Sequence, residues 1–225
     1  MSAAWYVTGT DTGVGKTVAT VAMLHALRAQ GRRAVGMKPV ASGCVRLADG
    51  WRNEDALQLQ AASAPMPEYA QVNPIALPDA TAPQIAAVRA GVPVASDAVL
   101  RAFRALQAQS DLVLVEGVGG WMAPITDALD QAELARVLGI EDVILIVGLR
   151  LGCINHARLS ERAIRGDGFR LRGWVASPVD PALEHAEEYF HLLRDAMQSP
   201  CLGRLPAFAD AGERQAWAAN WWFAG

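Results

Sequence analysis

The sequence contains few cysteines and no long hydrophobic segment. Its three cysteines, Cys44, Cys153 and Cys201, form no close pair, which argues against a disulfide framework and against a zinc site. The longest plain apolar run, Val143–Val147, is too short to cross a bilayer, and the amino-terminal residues lack the basic and apolar regions of a signal peptide. The sequence therefore predicts a cytoplasmic protein.

Charge of one sign is not concentrated anywhere in the chain. The formal net charge is −3 and there is no basic run, so neither nucleic acid nor a membrane surface is expected as the main partner. Hydrophobic residues make up 52% of the 225 residues, enough to bury a large core. No repeat or flexible linker divides the sequence, and a single domain is predicted over residues 1–225.

Lysine is almost absent. Of the 20 basic residues 18 are arginine, and the only lysines are Lys16 and Lys38. A lysine ammonium is a compact point charge on a flexible stem, whereas an arginine guanidinium is a planar fork. Codon bias and chance would place two lysines anywhere, yet both fall within the motifs described below.

Continuous apolar segments alternate with segments of helical periodicity, and this alternation predicts an α/β fold with a mostly parallel sheet and helices on both faces. Strands are predicted at Trp5–Thr8, Arg33–Met37, Leu112–Val115, Val143–Val147, Leu171–Ala176 and Leu202–Leu205. Helices are predicted at Lys16–Gln30, Asn53–Ala62, Thr81–Ala90, Ser96–Gln109, Gln131–Leu138, Asn155–Arg165 and Pro181–Met197. Ser96 is a candidate N-cap and Gly91 a candidate helix stop. Residues 63–80 are expected to form an ordered proline-rich loop. The aromatic tail at 217–223 would pack on the domain or on a partner subunit.

The segment Gly9–Thr17, with the sequence GTDTGVGKT, lies between the first predicted strand and the first predicted helix, as a phosphate-binding P-loop requires. Its glycines let backbone N–H groups surround phosphate oxygens, and the helix amino terminus adds a positive dipole. Lys16 would reach the β and γ phosphates of ATP, and the Thr17 hydroxyl would ligate Mg²⁺. Five residues separate Gly9 from Gly15, one more than in the common pattern, which indicates a variant loop. The alternative, a glycine-rich turn with an incidental lysine, explains less of this arrangement.

Two acidic residues are candidates for further magnesium ligands. Glu116 follows the predicted strand Leu112–Val115 and precedes several glycines, and the carboxyl ends of buried strands are where α/β sheets place ligand groups. Asp55 lies near the start of a predicted helix. The alternatives are a solvated carboxylate for Glu116 and an acid that stabilises a helix amino terminus for Asp55.

Two further segments follow predicted strands, and the first of them, with Lys38, is expected at the same edge of the sheet as the P-loop. Lys38 directly follows the second predicted strand, where it would join Lys16 in stabilising a transferring phosphoryl group, and Ser42 would hydrogen-bond a substrate anion. The alternative for Lys38 is a surface lysine. Gly152 and Asn155 open a later helix, where free N–H groups and the amide would bind a carboxylate, although helix capping by Asn155 is an equal alternative.

Together these segments resemble the dethiobiotin synthetases, the ATP-dependent cyclising ligases of biotin synthesis. The matching motifs are VTGTDTGVGKT (Val7–Thr17), KPVASG (Lys38–Gly43), RNEDAL (Arg52–Leu57), VEGVGGW (Val115–Trp121), LGCINHA (Leu151–Ala157) and GWVAS (Gly173–Ser177). The P-loop occurs in many ATPases, whereas KPVASG and LGCINHA beside it are far more specific.

The resemblance implies a P-loop NTPase-like fold, a homodimer with active sites at its interface, and the substrates 7,8-diaminononanoate, CO₂ and ATP with Mg²⁺. One amine would form a carbamate with CO₂, the carbamate would attack the γ-phosphate, and the second amine would close a cyclic urea. The implied catalytic residues are Thr12, Lys16 and Lys38, the magnesium ligands are Thr17, Asp55 and Glu116, and the substrate-binding residues are Ser42, Leu151, Gly152 and Asn155. The implied nucleotide-binding residues are Gly13, Val14, Gly15, Lys16, Thr17, Val18, Asp55, Glu116, Gly117, Val118, Gly119, Ala176, Ser177, Leu205, Pro206 and Ala207.

The chain departs from the family at one position, and two other classes remain as alternatives. Family members often carry Asn where this chain has Ser177, a position that recognises the base in the family, so adenine selectivity stays open. Nucleotide-driven switch ATPases of the related P-loop group carry a lysine where this chain has Asp11, and they hydrolyse ATP without a diamine. Amide-forming ligases of corrin synthesis usually add a glutamine-hydrolysing domain, for which this chain is too short.

Overall fold

The computed structural model of the protein describes residues 2–221. The strands, in chain order, are β1 (Ala3–Gly9), β2 (Ala34–Met37), β3 (Val40–Ala41), β4 (Val45–Leu47), β5 (Gly50–Arg52), β6 (Ile75–Ala76), β7 (Leu112–Gly120), β8 (Asp142–Leu149), β9 (Arg170–Pro178) and β10 (Cys201–Arg204). The helices are α1 (Lys16–Ala29), α2 (Glu54–Ala62), α3 (Tyr69–Val72), α4 (Pro83–Ala90), α5 (Ser96–Gln109), α6 (Gln131–Val137), α7 (Cys153–Gly166), α8 (Ala186–Ala196) and α9 (Ala211–Ala219).

Six strands form the main sheet in the order β10-β9-β8-β1-β7-β2, and every neighbouring pair is parallel. The predicted α/β class is confirmed. β1 lies between β7 and β8, and the chain moves outward from β1 in opposite directions, to β2 on one side and to β9 on the other. This reversal opens a crevice at the carboxyl end of β1, which is where open α/β sheets bind ligands.

The central strands are largely apolar because both faces of the sheet are covered; Thr8 of β1 and Glu116 of β7 are buried polar exceptions. On β1 and β8, Tyr6 and Val143 belong to the core on one face, whereas Val7 and Ile144 belong to the core on the other. Successive strand residues point to opposite faces, so a strand buried on both sides is apolar at most of its positions. This explains why continuous apolar runs in the sequence located these strands.

Some predicted boundaries were wrong. β7 does not end before Glu116 but continues to Gly120, because Gly120 pairs with Gly9 of β1. Helix α5 has Ala95 rather than Ser96 as its N-cap. Helix α8 begins at Ala186 rather than at Pro181, because the Asp180 side chain accepts a hydrogen bond from the Ala182 N–H and holds a local turn there.

The segments without clear periodicity hold small elements that the sequence did not reveal. The proline-rich segment 63–80 contains α3 and β6, and β4 pairs with β5 as a short antiparallel hairpin. In the tail, Trp217 lies in α9 and stacks with Phe208 and Trp221 against the core beside α1, so this part of the tail packs on the domain. Trp222 and Phe223, also included in the predicted aromatic tail, lie outside the described residues. Within residues 2–221 no helix is long and apolar enough to span a membrane.

A buried carboxylate ties α7 to the segment before β10. Glu161 is 5% exposed and accepts hydrogen bonds from the Gln198 N–H at 3.0 Å, from the Ser199 N–H at 2.8 Å and from the Ser199 hydroxyl at 2.5 Å. Burial raises the pKa of the Glu161 carboxyl, but these hydrogen bonds outweigh it and hold that pKa below its ordinary value of 4.5. A depressed pKa in the folded state contributes stability above pH 4.5, and the contribution is lost as the pH falls through the folded pKa.

Replacing Glu161 with Gln is therefore expected to lower the free energy of unfolding at pH 7 by about 1–3 kcal/mol, because an amide leaves one of the donors unpaired. The difference from the wild type should shrink as the pH falls below 4.5, the ordinary pKa of the group. Urea unfolding of the variant and the wild type at pH 7 and at a pH below 4.5 measures this difference. The exposed Glu184, replaced with Gln, is the control, and an equal loss at both pH values would contradict the assignment.

Candidate active site

The P-loop follows β1 and ends at the amino terminus of α1. Gly13 and Gly15 have positive φ angles of 72° and 81°, a conformation that favours glycine. Lys16 donates hydrogen bonds to the Asp11 and Gly119 carbonyl oxygens, both at 2.8 Å, so its ammonium lies across the loop. The Asp11 carboxylate accepts from the Thr12 N–H at 2.7 Å and pairs with Arg150 at 2.5 Å. The side chains of Asp11, Lys16 and Arg150 thus hold the loop in place.

Lys38 lies in a charge cluster at the carboxyl edge of the sheet. It follows β2, and its ammonium contacts Glu116 at 2.6 Å and Asp55 at 2.8 Å. The Thr17 hydroxyl donates to the same Glu116 oxygen at 2.8 Å. Lys38 is 5% exposed and Glu116 is 0% exposed, so neither is the surface group of the alternative interpretations. Asp55 lies in the first turn of α2, as its alternative as an acid at a helix amino terminus requires, while the N-cap of that helix is Asn53.

The two lysines have opposite pKa shifts. Burial lowers the pKa of Lys16 to about 8; the Glu116 carboxylate opposes this shift and the Lys38 ammonium adds to it. Burial also lowers the pKa of Lys38, but the Glu116 and Asp55 carboxylates outweigh it and raise that pKa above its ordinary value. For Asp55, burial raises the pKa and the Lys38 ammonium overcomes it, so the carboxyl titrates below its usual range. Lys38 is thus a stable cation at neutral pH.

The same cluster fits a magnesium ion. Glu116 Oε2 is buried and has no hydrogen-bond partner among residues 2–221, so one carboxylate oxygen remains for a ligand. Thr17 and Asp55 supply a hydroxyl and a second carboxylate, and Mg²⁺ prefers such oxygen ligands. Residues 2–221 contain no group of three or more His, Cys, Asp or Glu side chains suited to a metal. Further ligands would therefore come from phosphate oxygens and water, as is usual for Mg²⁺.

Most of the predicted phosphate-binding residues line one cavity of about 410 Å³, here called the P-loop cavity. Its lining residues are Thr12, Gly13, Gly15, Lys16, Thr17, Val18, Lys38, Ser42, Asn53, Asp55, Glu116, Val118 and Gly119. Asn53 was not predicted. Its amide donates to the Ser42 carbonyl oxygen at 3.3 Å, which holds the Ser42 loop against α2. Val14 and Gly117 are buried behind this cavity rather than lining it.

A second cavity of about 710 Å³ shares Gly13, Gly15 and Val18 with the first and extends from it toward α9. We call it the outer cavity. Its other lining residues are Glu54, Gln58, Ser177, Pro178, Val179, Pro206, Ala207, Phe208, Asp210, Ala211 and Arg214. Of the residues predicted to bind the nucleoside, Ser177, Pro206 and Ala207 line this cavity, whereas Ala176 and Leu205 are buried behind them. Gln58 and Arg214 also line this cavity and were not predicted, since Gln58 follows the RNEDAL motif and Arg214 lies outside every motif.

The predicted carboxylate-binding residues lie elsewhere. Gly152 and Asn155 line a cavity of about 510 Å³ beside α7, and it shares no residue with the P-loop cavity. We call it the α7 cavity. Gly152, not Asn155, is the N-cap of α7, so the capping alternative is wrong for Asn155. Leu151 is 77% exposed and lines none of these three cavities. Tyr189, on α8, also lines the α7 cavity and was not predicted, since a lone aromatic in a helix carries no local signal.

Comparison with known proteins identifies the family. A family model described as an AAA domain matches residues 3–215. The chain is 57% identical over 208 residues to the ATP-dependent dethiobiotin synthetase BioD of Xanthomonas oryzae pv. oryzae, covering 92% of both chains. It is 58% identical over 203 residues to the protein of the same name from Xylella fastidiosa, covering 90% of this chain and 89% of that one. The chain belongs to the dethiobiotin synthetase family. The family resemblance that the motifs predicted is thereby confirmed.

Solved structures with the same fold are much more distant from this dethiobiotin synthetase family member. The septum site-determining protein MinD of Pyrococcus horikoshii, complexed with Mg-ADP, superposes with a TM-score of 0.56 at 15% identity, covering 97% of this chain and 86% of that one. The signal recognition particle receptor FtsY of Elizabethkingia anophelis, in complex with GDP, gives a TM-score of 0.58 at 13% identity, and the match covers the whole of this chain but 65% of that one. These matches show the P-loop NTPase-like fold alone.

Proposed function

We propose that this chain forms dethiobiotin from 7,8-diaminononanoate, CO₂ and ATP. The observation that carries the proposal is the convergence of Lys16, Lys38 and Glu116 on one cavity at the P-loop, in a chain 57% identical to ATP-dependent dethiobiotin synthetases. Two cations and a buried carboxylate at a P-loop suit phosphoryl transfer, in which catalysis is mainly positioning and charge stabilisation.

The residues of the P-loop cavity have separate tasks in this reaction. One amine of the substrate takes up CO₂ to form a carbamate, whose negative charge Lys38 stabilises. The carbamate oxygen attacks the γ-phosphorus, ADP leaves, and Lys16 stabilises the charge that spreads over the phosphoryl oxygens. The second amine then attacks the carbamoyl carbon, which closes the urea ring and expels phosphate. Thr12 and Ser42 line the cavity beside the two lysines and would orient the carbamate by hydrogen bonds.

Thr17, Asp55 and Glu116 would hold Mg²⁺ in the P-loop cavity, where the ion would neutralise phosphate charge. The outer cavity would take the nucleoside, since it continues from the P-loop glycines at Gly13 and Gly15. A single triphosphate could then occupy both cavities, with its phosphates beside Lys16.

We propose a homodimer in which the α7 cavity of one subunit completes the active site of the other. The support is that Gly152 and Asn155 lie in a cavity separate from the P-loop cavity of their own chain. Exposed apolar side chains occur on the same elements: Leu159 lines the cavity and is 55% exposed, Leu151 directly before Gly152 is 77% exposed, and Leu192 on α8 is 54% exposed. With its carboxylate bound beside Asn155, the substrate would extend its two amines toward the P-loop of the partner subunit.

Phosphate release from the purified protein with ATP, Mg²⁺ and bicarbonate tests the function. We expect release to depend on 7,8-diaminononanoate and a cyclic urea to appear by mass spectrometry. Release that is indifferent to the diamine would overturn the ligase assignment and favour a nucleotide-driven switch.

Complementation between two inactive variants tests the shared site. Lys38→Met and Asn155→Ala are each expected to be inactive at low diamine concentration. When subunits exchange at random, half of the dimers are mixed and each holds one intact site, so about a quarter of the wild-type activity should return. The control mixes Lys38→Met with Lys16→Met, which both damage the P-loop cavity. No recovery in the first mixture, with mixed dimers present, would place both residues in one subunit's site.

A further inference from the structure

The outer cavity contains an arginine that none of the sequence motifs includes. Arg214 projects from α9, across from Gln58 and Glu54 of α2, and all three line this cavity together with Ser177. The cavity joins the P-loop at Gly13 and Gly15, so a group bound in it lies next to the phosphates. Its polar side chains therefore decide which nucleobase fits best.

Ser177 is poorly placed to recognise a base. It is 3% exposed, and its hydroxyl is packed against the P-loop, since a Cβ atom built on Gly15 would lie 2.3 Å from Ser177 Oγ. The serine side chain is also one of the shortest polar side chains. Selection of the base therefore depends on the longer polar side chains that line the cavity.

Arg214 has hydrogen-bonding capacity to spare. Its Nη2 donates to Gln58 Oε1 at 3.3 Å, and its Nε is buried away from any group bound in the cavity, so the remaining N–H donors of Nη1 and Nη2 are the ones that a ligand can use. Burial also lowers the pKa of this guanidinium. Gln58 Oε1 accepts a hydrogen bond from Arg214 and thereby orients the guanidinium, and the groups that the guanidinium offers to the cavity are N–H donors only. Arg214 therefore complements hydrogen-bond acceptors.

We propose that Arg214, oriented by Gln58, recognises acceptor atoms of the nucleobase and determines the nucleotide preference of this enzyme. The inference rests on the proposed function, because it takes the outer cavity to hold the nucleoside of the triphosphate. Guanine presents two adjacent acceptors, O6 and N7, to a guanidinium fork, whereas adenine presents N7 beside an amino donor. GTP is therefore expected to bind at least as tightly as ATP.

Calorimetric titration of the full chain with ATP and with GTP, in Mg²⁺ and without the diamine, tests this inference. Arg214→Ala should raise the Kd for GTP at least about tenfold and the Kd for ATP much less. The ratio of the two Kd values is the decisive quantity. Both nucleotides carry the same triphosphate, so removing the Arg214 charge weakens its long-range attraction to both nucleotides equally and leaves the ratio unchanged. Arg214→Lys keeps the charge without the fork and should change the ratio in the same direction. Gln215→Ala, an exposed neighbour on α9, is the matched control.

The outcomes separate this inference from the proposed function. A wild-type chain that binds neither nucleotide would overturn both. Wild-type binding with a GTP-to-ATP ratio that stays within about twofold in both Arg214 variants would overturn only the role of Arg214. The role of Arg214 would also be overturned if the wild type prefers ATP and only Ser177→Asn, not the Arg214 variants, changes that preference. Residue 177 would then be the one that recognises the base.

Discussion

Replacing Lys38 with Arg is expected to lower dethiobiotin formation at least about a hundredfold, because misplacing one charge in a transition state typically costs that much. The variant keeps the positive charge that Glu116 and Asp55 require, so the fold should survive. The planar guanidinium, however, cannot occupy the buried point between two carboxylates at 2.6 and 2.8 Å that the ammonium fills. The effect is then one of position rather than of net charge.

Single-turnover rates at saturating ATP and diamine measure this effect, with nucleotide affinity and thermal unfolding determined in parallel. Arg104→Lys, an exchange of the same two residue types at an exposed position on α5, is the control. Near-normal turnover in Lys38→Arg would remove Lys38 from the mechanism. A large loss of nucleotide affinity with an unchanged rate would give Lys38 a role in binding the triphosphate instead.

The parts of the fold that the sequence predicted well are those governed by local rules. Buried parallel strands such as β8 stand out as apolar runs, here Val143–Val147, and the P-loop glycines indicate a strand-to-helix turn. The strand β7 could not be bounded this way, since Gly117–Gly120 have turn composition but keep pairing beside β1. Here a tertiary neighbour overrode the local preference.

The candidate site likewise has residues that local sequence rules predicted and residues that only tertiary packing places there. Lys16, Lys38, Glu116 and Asp55 lie together as expected, because parallel strands carry their carboxyl ends to one edge of the sheet. Arg214, from a carboxyl-terminal segment without a motif, reaches the outer cavity only through the packing of α9 on α1. No local pattern reports such packing.

Replacing Glu116 with Gln is the second change from which we expect a large effect. The carboxylate is completely buried, with one oxygen held by Lys38 and Thr17 and the other without a partner among residues 2–221. If that free oxygen binds Mg²⁺, replacing the carboxylate with a neutral amide removes the negative charge and weakens Mg²⁺ binding. Turnover should fall at least about a hundredfold, because a bound metal is worth several kcal/mol in stabilising phosphoryl charge.

The Mg²⁺ concentration needed for half-maximal activity distinguishes a metal ligand from a merely structural carboxylate. We expect it to rise at least about tenfold in Glu116→Gln and less in Asp55→Asn, since metal ligation depends on ligand charge and the Asp55 side chain is 42% exposed and screened by solvent. Thermal unfolding without Mg²⁺ controls for damage to the fold. If both variants lose turnover while the Mg²⁺ midpoint stays unchanged, Glu116 acts by holding Lys38 in place, and the magnesium ligands must be sought elsewhere around the P-loop cavity.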